Sequence, residues 1–181
     1  MILITLGTIP YSFDRLIDWM AISLDEGLIC EPVFVQHGIT NVTAIINNPL
    51  VTTSSLLSLD EISKVIANSR LVISHAGQGT TRKLAKTNKP FIIVPRESKY
   101  REHIDNHQLC FAQNMSDKFG ICCCTSLTDL QKFILNPPRP INKELFHQTK
   151  LADHLLTIFP PNYNPSKPNY KNNLMYKKFI K

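Results

Sequence analysis

Apolar positions along the chain alternate between two patterns. Short, mostly apolar runs at 2–6, 32–36, 50–55, 70–74, 91–95 and 120–124 read as strands, and their continuity suits strands covered on both faces. Between them, 13–24, 59–68, 80–87, 103–115 and 127–135 repeat apolar residues at the three- and four-residue spacing of a helix with one buried side. Strands alternating with helices predict an α/β fold: a Rossmann-like parallel sheet with helices on both faces.

Local punctuation agrees with these boundaries. Ser58-Leu59-Asp60-Glu61 is a capping box ahead of one helix, and Ser126 with Asp129 offers the same device ahead of another. From Asn136 the pattern changes, because Pro137, Pro138 and Pro140 interrupt it before a last amphipathic segment at 143–159. The expected organisation is one nucleotide-sugar-binding domain over 1–160, followed by a basic Pro/Asn/Lys-rich tail at 161–181 that only a partner or a surface would order.

Charge changes little in this picture. The formal net charge is +6, but Lys167, Lys171, Lys177, Lys178 and Lys181 supply five of those charges, with no acid after Asp153. The body is close to neutral, so nucleic acid is not an expected partner. Five cysteines, three of them consecutive at 122–124, suit reduced thiols packed as small hydrophobes better than a disulfide framework or a zinc site. The start of the chain lacks a basic region ahead of its apolar run, and no stretch approaches the roughly 20 apolar residues that span a bilayer. A cytoplasmic location, peripheral to a membrane through a partner, is the expectation.

Ligands of open α/β sheets bind beyond the carboxyl ends of the strands. Four loops there are unusually polar or Gly-rich: Gly7-Thr8, Gln36-His37-Gly38, His75-Ala76-Gly77-Gln78-Gly79-Thr80, and the stretch from Pro95-Arg96 to Asp105-Asn106-His107-Gln108. The third is the strongest. Its glycines permit positive φ and close main-chain approach, and the helix expected from Thr80 brings unpaired N–H donors that suit a phosphate or diphosphate. The same residues also suit a plain strand-to-helix turn. A dinucleotide fingerprint is less attractive, since only Gly7 follows the first strand.

These motifs, with 13–16 (Phe-Asp-Arg-Leu), 89–96 (Lys-Pro-Phe-Ile-Ile-Val-Pro-Arg) and 100–108 (Tyr-Arg-Glu-His-Ile-Asp-Asn-His-Gln), resemble in order the C-terminal half of GT-B glycosyltransferases of family 28. Over about 1–135 the chain is similar to the small subunits of bacterial capsule and exopolysaccharide glycosyltransferases, and to the catalytic subunit of the two-part UDP-N-acetylglucosamine transferase of N-glycan assembly. The resemblance implies that Gly7, Thr8, His75, Ala76, Gly77, Gln78, Gly79 and Thr80 hold UDP, and that Asp105, Asn106, His107 and Gln108 face the donor sugar. Amide and imidazole groups match sugar hydroxyls with both donors and acceptors, although His107 also reads as a surface residue opening a helix. Gln36 and Gly38 would border the uracil.

The implied reaction transfers a hexose from a UDP-sugar to a lipid-linked saccharide. Backbone donors would stabilise the charge growing on the leaving diphosphate. Arg96, Lys99 or Arg101 offers a mobile cation, or simply a charged solvated loop. No cofactor and no metal are implied, there being no Asp-x-Asp motif. The acceptor pocket and the general base are expected from a membrane-associated acceptor-binding subunit, so no catalytic base is assigned here. One position departs from the family: Lys83 stands where related enzymes carry a glutamate that takes the ribose hydroxyls, and a lysine cannot accept hydrogen bonds. The alternative is therefore a non-catalytic subunit that stabilises or stimulates a partner transferase.

Overall fold

The structure is a computed structural model that describes residues 1–145 and Leu156. Five strands, β1 (Ile2–Thr5), β2 (Val33–Gln36), β3 (Val51–Ser54), β4 (Leu71–His75) and β5 (Phe91–Val94), form one sheet in the order β3-β2-β1-β4-β5. Every pairing is parallel, with Ile2 beside both Val33 and Leu71 and with Val72 beside Phe91. The α/β parallel sheet expected from the sequence is the observed fold.

Within residues 1–145, five α-helices connect and flank the strands: α1 (Asp14–Asp25), α2 (Leu59–Ala67), α3 (Gln78–Leu84), α4 (His107–Phe119) and α5 (Leu127–Leu135). The chain steps outward from β1 to β3, then returns past β1 to β4 and β5. With right-handed crossovers, α1 falls on one face and α2 and α3 on the other. The point of reversal, between β1 and β4, is the topological switch where open sheets leave a crevice.

Burial explains why these runs became strands. Ile2, Leu3, Ile4, Leu71, Val72, Ile73, Ile92, Ile93 and Val94 are all fully buried, as strands with helices on both sides require. Leu16, Ile17 and Met20 line the inner side of α1 at helical spacing, and Leu130 and Ile134 do the same for α5. Both caps form as expected. The Ser58 hydroxyl accepts the Glu61 N–H at 3.2 Å while Glu61 accepts the Ser58 N–H at 2.8 Å, and the Ser126 hydroxyl accepts the Asp129 N–H at 3.1 Å.

Several boundaries differ from expectation, among them the ends of α3 and α4, at Leu84 rather than 87 and at Phe119 rather than 115. The run 120–124 forms no strand beside β5; a single parallel bridge joins Ile93 to Cys123, with Gly120 at φ 70° and Ile121 turned into the core. Helix α4 starts at His107 rather than 103, because the Asp105 carboxylate accepts the His107 N–H at 3.0 Å and holds 103–106 in a turn. Helix α3 begins at Gln78, two residues earlier than read from the sequence. The last segment, 143–159, and the tail lie outside the described residues, except for 143–145, which form no helix, and the helical Leu156.

Candidate functional site

The loops after β1 and β4 meet at the switch point around one side chain. His75, the last residue of β4, is only 8% exposed, and its ring lies between Gly7 and Gly77. A Cβ built on Gly7 would stand 2.8 Å from the imidazole, and one built on Gly77 would stand 2.9 Å from Cδ2 and closer still to Nε2. Both loops can close over the imidazole only because they carry no side chain there.

The ring is fixed as well as enclosed. Its Nδ1 lies 3.2 Å from the Thr5 carbonyl, which can only accept, so the neutral ring carries its proton on Nδ1 and leaves Nε2 an acceptor between the two glycines. Burial, assisted by the positive charge of Arg96, lowers the His75 pKa to about 4 against the opposing effect of the Thr5 carbonyl. His75 is thus a neutral pillar beneath the loop.

The glycines of 75–80 differ from their expected use. Neither Gly77, at φ −83°, nor Gly79 takes a positive φ; Gly77 is needed for clearance from His75, and Gly79 has open space where a Cβ would go. Positive φ occurs instead at Gly7 (78°) and Gly38 (60°), and a Cβ on Gly38 would meet the Gly7 carbonyl oxygen at 2.6 Å. Gly77 has no side chain to cap α3, so the first-turn N–H groups of Gln78, Gly79 and Thr80 keep their donors free of a side-chain cap. Thr8, Gln78 and Gly79 are exposed at this edge, while Ala76 is buried.

Gln36 brackets the same loop from the β2 side. Its Oε1 accepts from the Thr5 hydroxyl at 2.8 Å and the Gly7 N–H at 3.3 Å, and its Nε2 donates to Gly7 at 3.1 Å and Ser55 at 2.9 Å. Its donors and acceptor are therefore occupied within the fold.

Arg96 corrects an expectation. It is 1% exposed, and its guanidinium donates to the carbonyls of Leu6 and Tyr11 at 2.8 Å, Ser12 at 3.0 Å and Glu102 at 3.3 Å while stacking over Phe13. Burial lowers its pKa to about 10, leaving it charged at neutral pH. It is a fixed cation that ties the loop after β1 to the loop after β5, and Arg96 itself is not free to follow a phosphate, whereas Lys99 and Arg101 are exposed.

Sequence reasoning missed the partner of that tie. Arg15 on α1 grips the buried Glu102 with two hydrogen bonds, Nε to Oε1 at 2.8 Å and Nη2 to Oε2 at 2.7 Å, and also donates to Pro95 at 2.8 Å. Glu102 additionally accepts the Glu97 N–H at 3.0 Å. Burial works to lower the Arg15 pKa, but Glu102 outweighs it and the net shift is upward. The apolar i, i+3, i+4 spacing of α1 gave no sign that one of its charged residues turns inward.

The expected sugar-facing segment divides. Asp105, Asn106 and His107 are exposed at the start of α4, with Asn106 accepting from the Ser98 N–H and hydroxyl. Gln108 is buried, and its Oε1 accepts the Arg96 N–H at 3.2 Å, so it braces the β5 loop rather than facing outward. Lys83 lies on α3 and donates to the Ser63 hydroxyl at 2.9 Å. A separate cleft of about 500 Å³ opens beside α1, between Asp14, Asp18 and Trp19 and the turn bearing Tyr100 and Arg101; the glycine loop does not line it. Among the described residues, no helix is long and apolar enough to cross a membrane.

Residues 1–161 match the glycosyltransferase family 28 C-terminal domain. The UDP-N-acetylglucosamine transferase subunit ALG13 of Candida albicans is 36% identical over 75 residues, which are 41% of this chain and 24% of that protein. A UDP-N-acetylglucosamine–N-acetylmuramyl-(pentapeptide) pyrophosphoryl-undecaprenol N-acetylglucosamine transferase of Prochlorococcus marinus is 32% identical over 112 residues, 62% of this chain and 25% of that protein. The chain thus spans about a quarter of the length of these relatives. In fold it is similar to the solution structure of ALG13 (TM-score 0.55, 20% identity, 86% of this chain and 93% of that one). It is also similar to the glycosyltransferase SnogD from Streptomyces nogalater (TM-score 0.52, 14% identity, 75% of this chain and 34% of that one).

Proposed function

The chain belongs to the glycosyltransferase family 28 C-terminal-domain family, and from that premise we propose that it is the donor-binding subunit of a two-component, UDP-sugar-dependent hexosyltransferase. The observation that carries the reading is the junction of the Gly7 and Gly77 loops around His75 at the switch point of a family 28 sheet. UDP would lie across Gly7, Thr8 and 75–80, with its diphosphate toward the first-turn N–H groups of α3. As the bond between sugar and diphosphate breaks, charge grows on the β-phosphate, and main-chain donors there stabilise it without a metal. The donor sugar would reach toward Asp105, Asn106 and His107.

The general base and the acceptor pocket would come from a membrane-associated partner subunit, and the acceptor would be a lipid-linked saccharide of capsule or exopolysaccharide synthesis. The relative described as a transferase subunit supports the division of labour. Lys83, joined to Ser63 where a ribose-binding glutamate was expected, favours a second reading, a non-catalytic subunit that stabilises a partner transferase.

Isothermal titration with UDP and UDP-sugars, on the chain alone and with a co-purified acceptor-binding subunit, separates the two. UDP binding by the chain alone, with turnover once the subunit is added, is the expected result. Absence of nucleotide binding in both states would leave the non-catalytic reading.

A further inference from the structure

We propose that His103, Asp105 and His107 form a binding site for one borderline divalent transition ion of the zinc class. Their three ligand atoms lie within 4.8 Å of one another. The Nδ1 atoms of both imidazoles approach the same carboxylate oxygen, Asp105 Oδ1, at 3.2 Å from His103 and 2.5 Å from His107. Without an ion, His107 shares a proton with Asp105 Oδ1, and His103 Nδ1 accepts the Asp105 N–H at 3.4 Å. An ion that displaces that proton and weak bond meets two imidazole nitrogens and one carboxylate oxygen, a donor set that suits zinc, nickel or copper better than magnesium.

The turn that carries them is anchored on both sides. Before it, buried Glu102 is clamped by Arg15; after it, Asn106 holds Ser98 and buried Gln108 holds the Arg96 N–H. His103 is packed within it, its side chain 11% exposed, with Tyr11 stacked on the ring at 5.7 Å and His107 edge-on at 4.3 Å. Asp105 is oriented by the His107 N–H. The backbone therefore presents the ligands together before any ion arrives.

Ligand atoms about 2.0–2.2 Å from a tetrahedral ion stand roughly 3.3 Å apart. The His103–Asp105 spacing already matches, and the His107–Asp105 pair has to widen, which two half-exposed side chains allow. Three protein ligands leave a fourth position for water or for an oxygen of a bound molecule. The proposed transferase chemistry does not require this ion; Asp105 and His107 also belong to the proposed donor-sugar edge, and UDP, which carries no sugar, keeps the two readings apart.

The test is zinc titration calorimetry on the full chain carrying Cys30→Ser and Cys110→Ser, which removes the exposed thiols. One zinc ion per chain is expected, with magnesium giving no comparable heat. Asp105→Asn, nearly isosteric at a half-exposed position, and His107→Gln should each weaken zinc binding by about tenfold or more, with circular dichroism unchanged. UDP titrated into the same samples reports separately on the transferase reading. Zinc affinity that is absent, matched by magnesium, or unaltered by Asp105→Asn would overturn the site.

Discussion

Replacing Gly77 by alanine sets a methyl group against the imidazole of His75, inside contact distance of Nε2 and 2.9 Å from Cδ2. The ring cannot retreat freely, because it is buried and held to the Thr5 carbonyl. Moving it costs that hydrogen bond, about 1 kcal/mol, and an off-rotamer χ angle, about 0.5–1.5 kcal/mol. Gly77 has an ordinary φ of −83°, so alanine also restricts the unfolded chain and returns about 0.4–1 kcal/mol. The net expectation is a loss of about 0.5–2 kcal/mol. Urea unfolding of Gly77→Ala beside Gly79→Ala checks it, since a methyl on Gly79 meets open space and should leave stability unchanged or slightly higher. The mechanism is tested by repeating Gly77→Ala in a His75→Ala background, where the cost should disappear. An equal cost in both backgrounds, or a Gly77→Ala protein as stable as the parent, refutes the pillar.

Three further outcomes follow from named groups. The folded pKa of His75 lies near 4, below the ordinary 6.5, so the unfolded chain takes up the proton first; the stability it contributes is complete above about pH 6.5 and declines toward pH 4, with a slope up to about 1.4 kcal/mol per pH unit that His75→Gln should remove from urea-unfolding curves. Glu102→Ala strips Arg15 of its bidentate partner and leaves the Glu97 N–H without an acceptor, with an expected loss of about 3–5 kcal/mol by the same assay; a loss under about 1 kcal/mol would mean that the pair is not buried in solution. Lys83→Glu provides the carboxylate acceptor for ribose hydroxyls and should strengthen UDP binding about tenfold in calorimetry, whereas unchanged affinity would place the ribose elsewhere.

The two histidine sites show how differently a sequence encodes chemistry. Gly7, His75, Gly77 and Gly79 were legible as parts of loops at the carboxyl edge of the sheet because glycines after buried strands are informative in any α/β chain. The reason for Gly77 was not, since it rests on a ring whose position is fixed by Thr5, seventy residues away in sequence. Asp105 and His107 were legible as polar residues near a helix start, but their convergence with His103 depends on a turn that helical periodicity had absorbed into the helix.

Apart from the run at 120–124, what the sequence determined by itself is the order of elements, because each strand and helix is written in residues next to one another: buried runs, three- and four-residue spacing, and the caps at Ser58 and Ser126. Only the tertiary structure decided the strand order, the burial of Arg96 and Gln108, and the clamp of Arg15 on Glu102. Those facts turn on pairs as distant as Leu6 and Arg96, ninety residues apart. A charged side chain looks the same in sequence whether it faces solvent or is surrounded by four carbonyls, and only packing supplies the carbonyls.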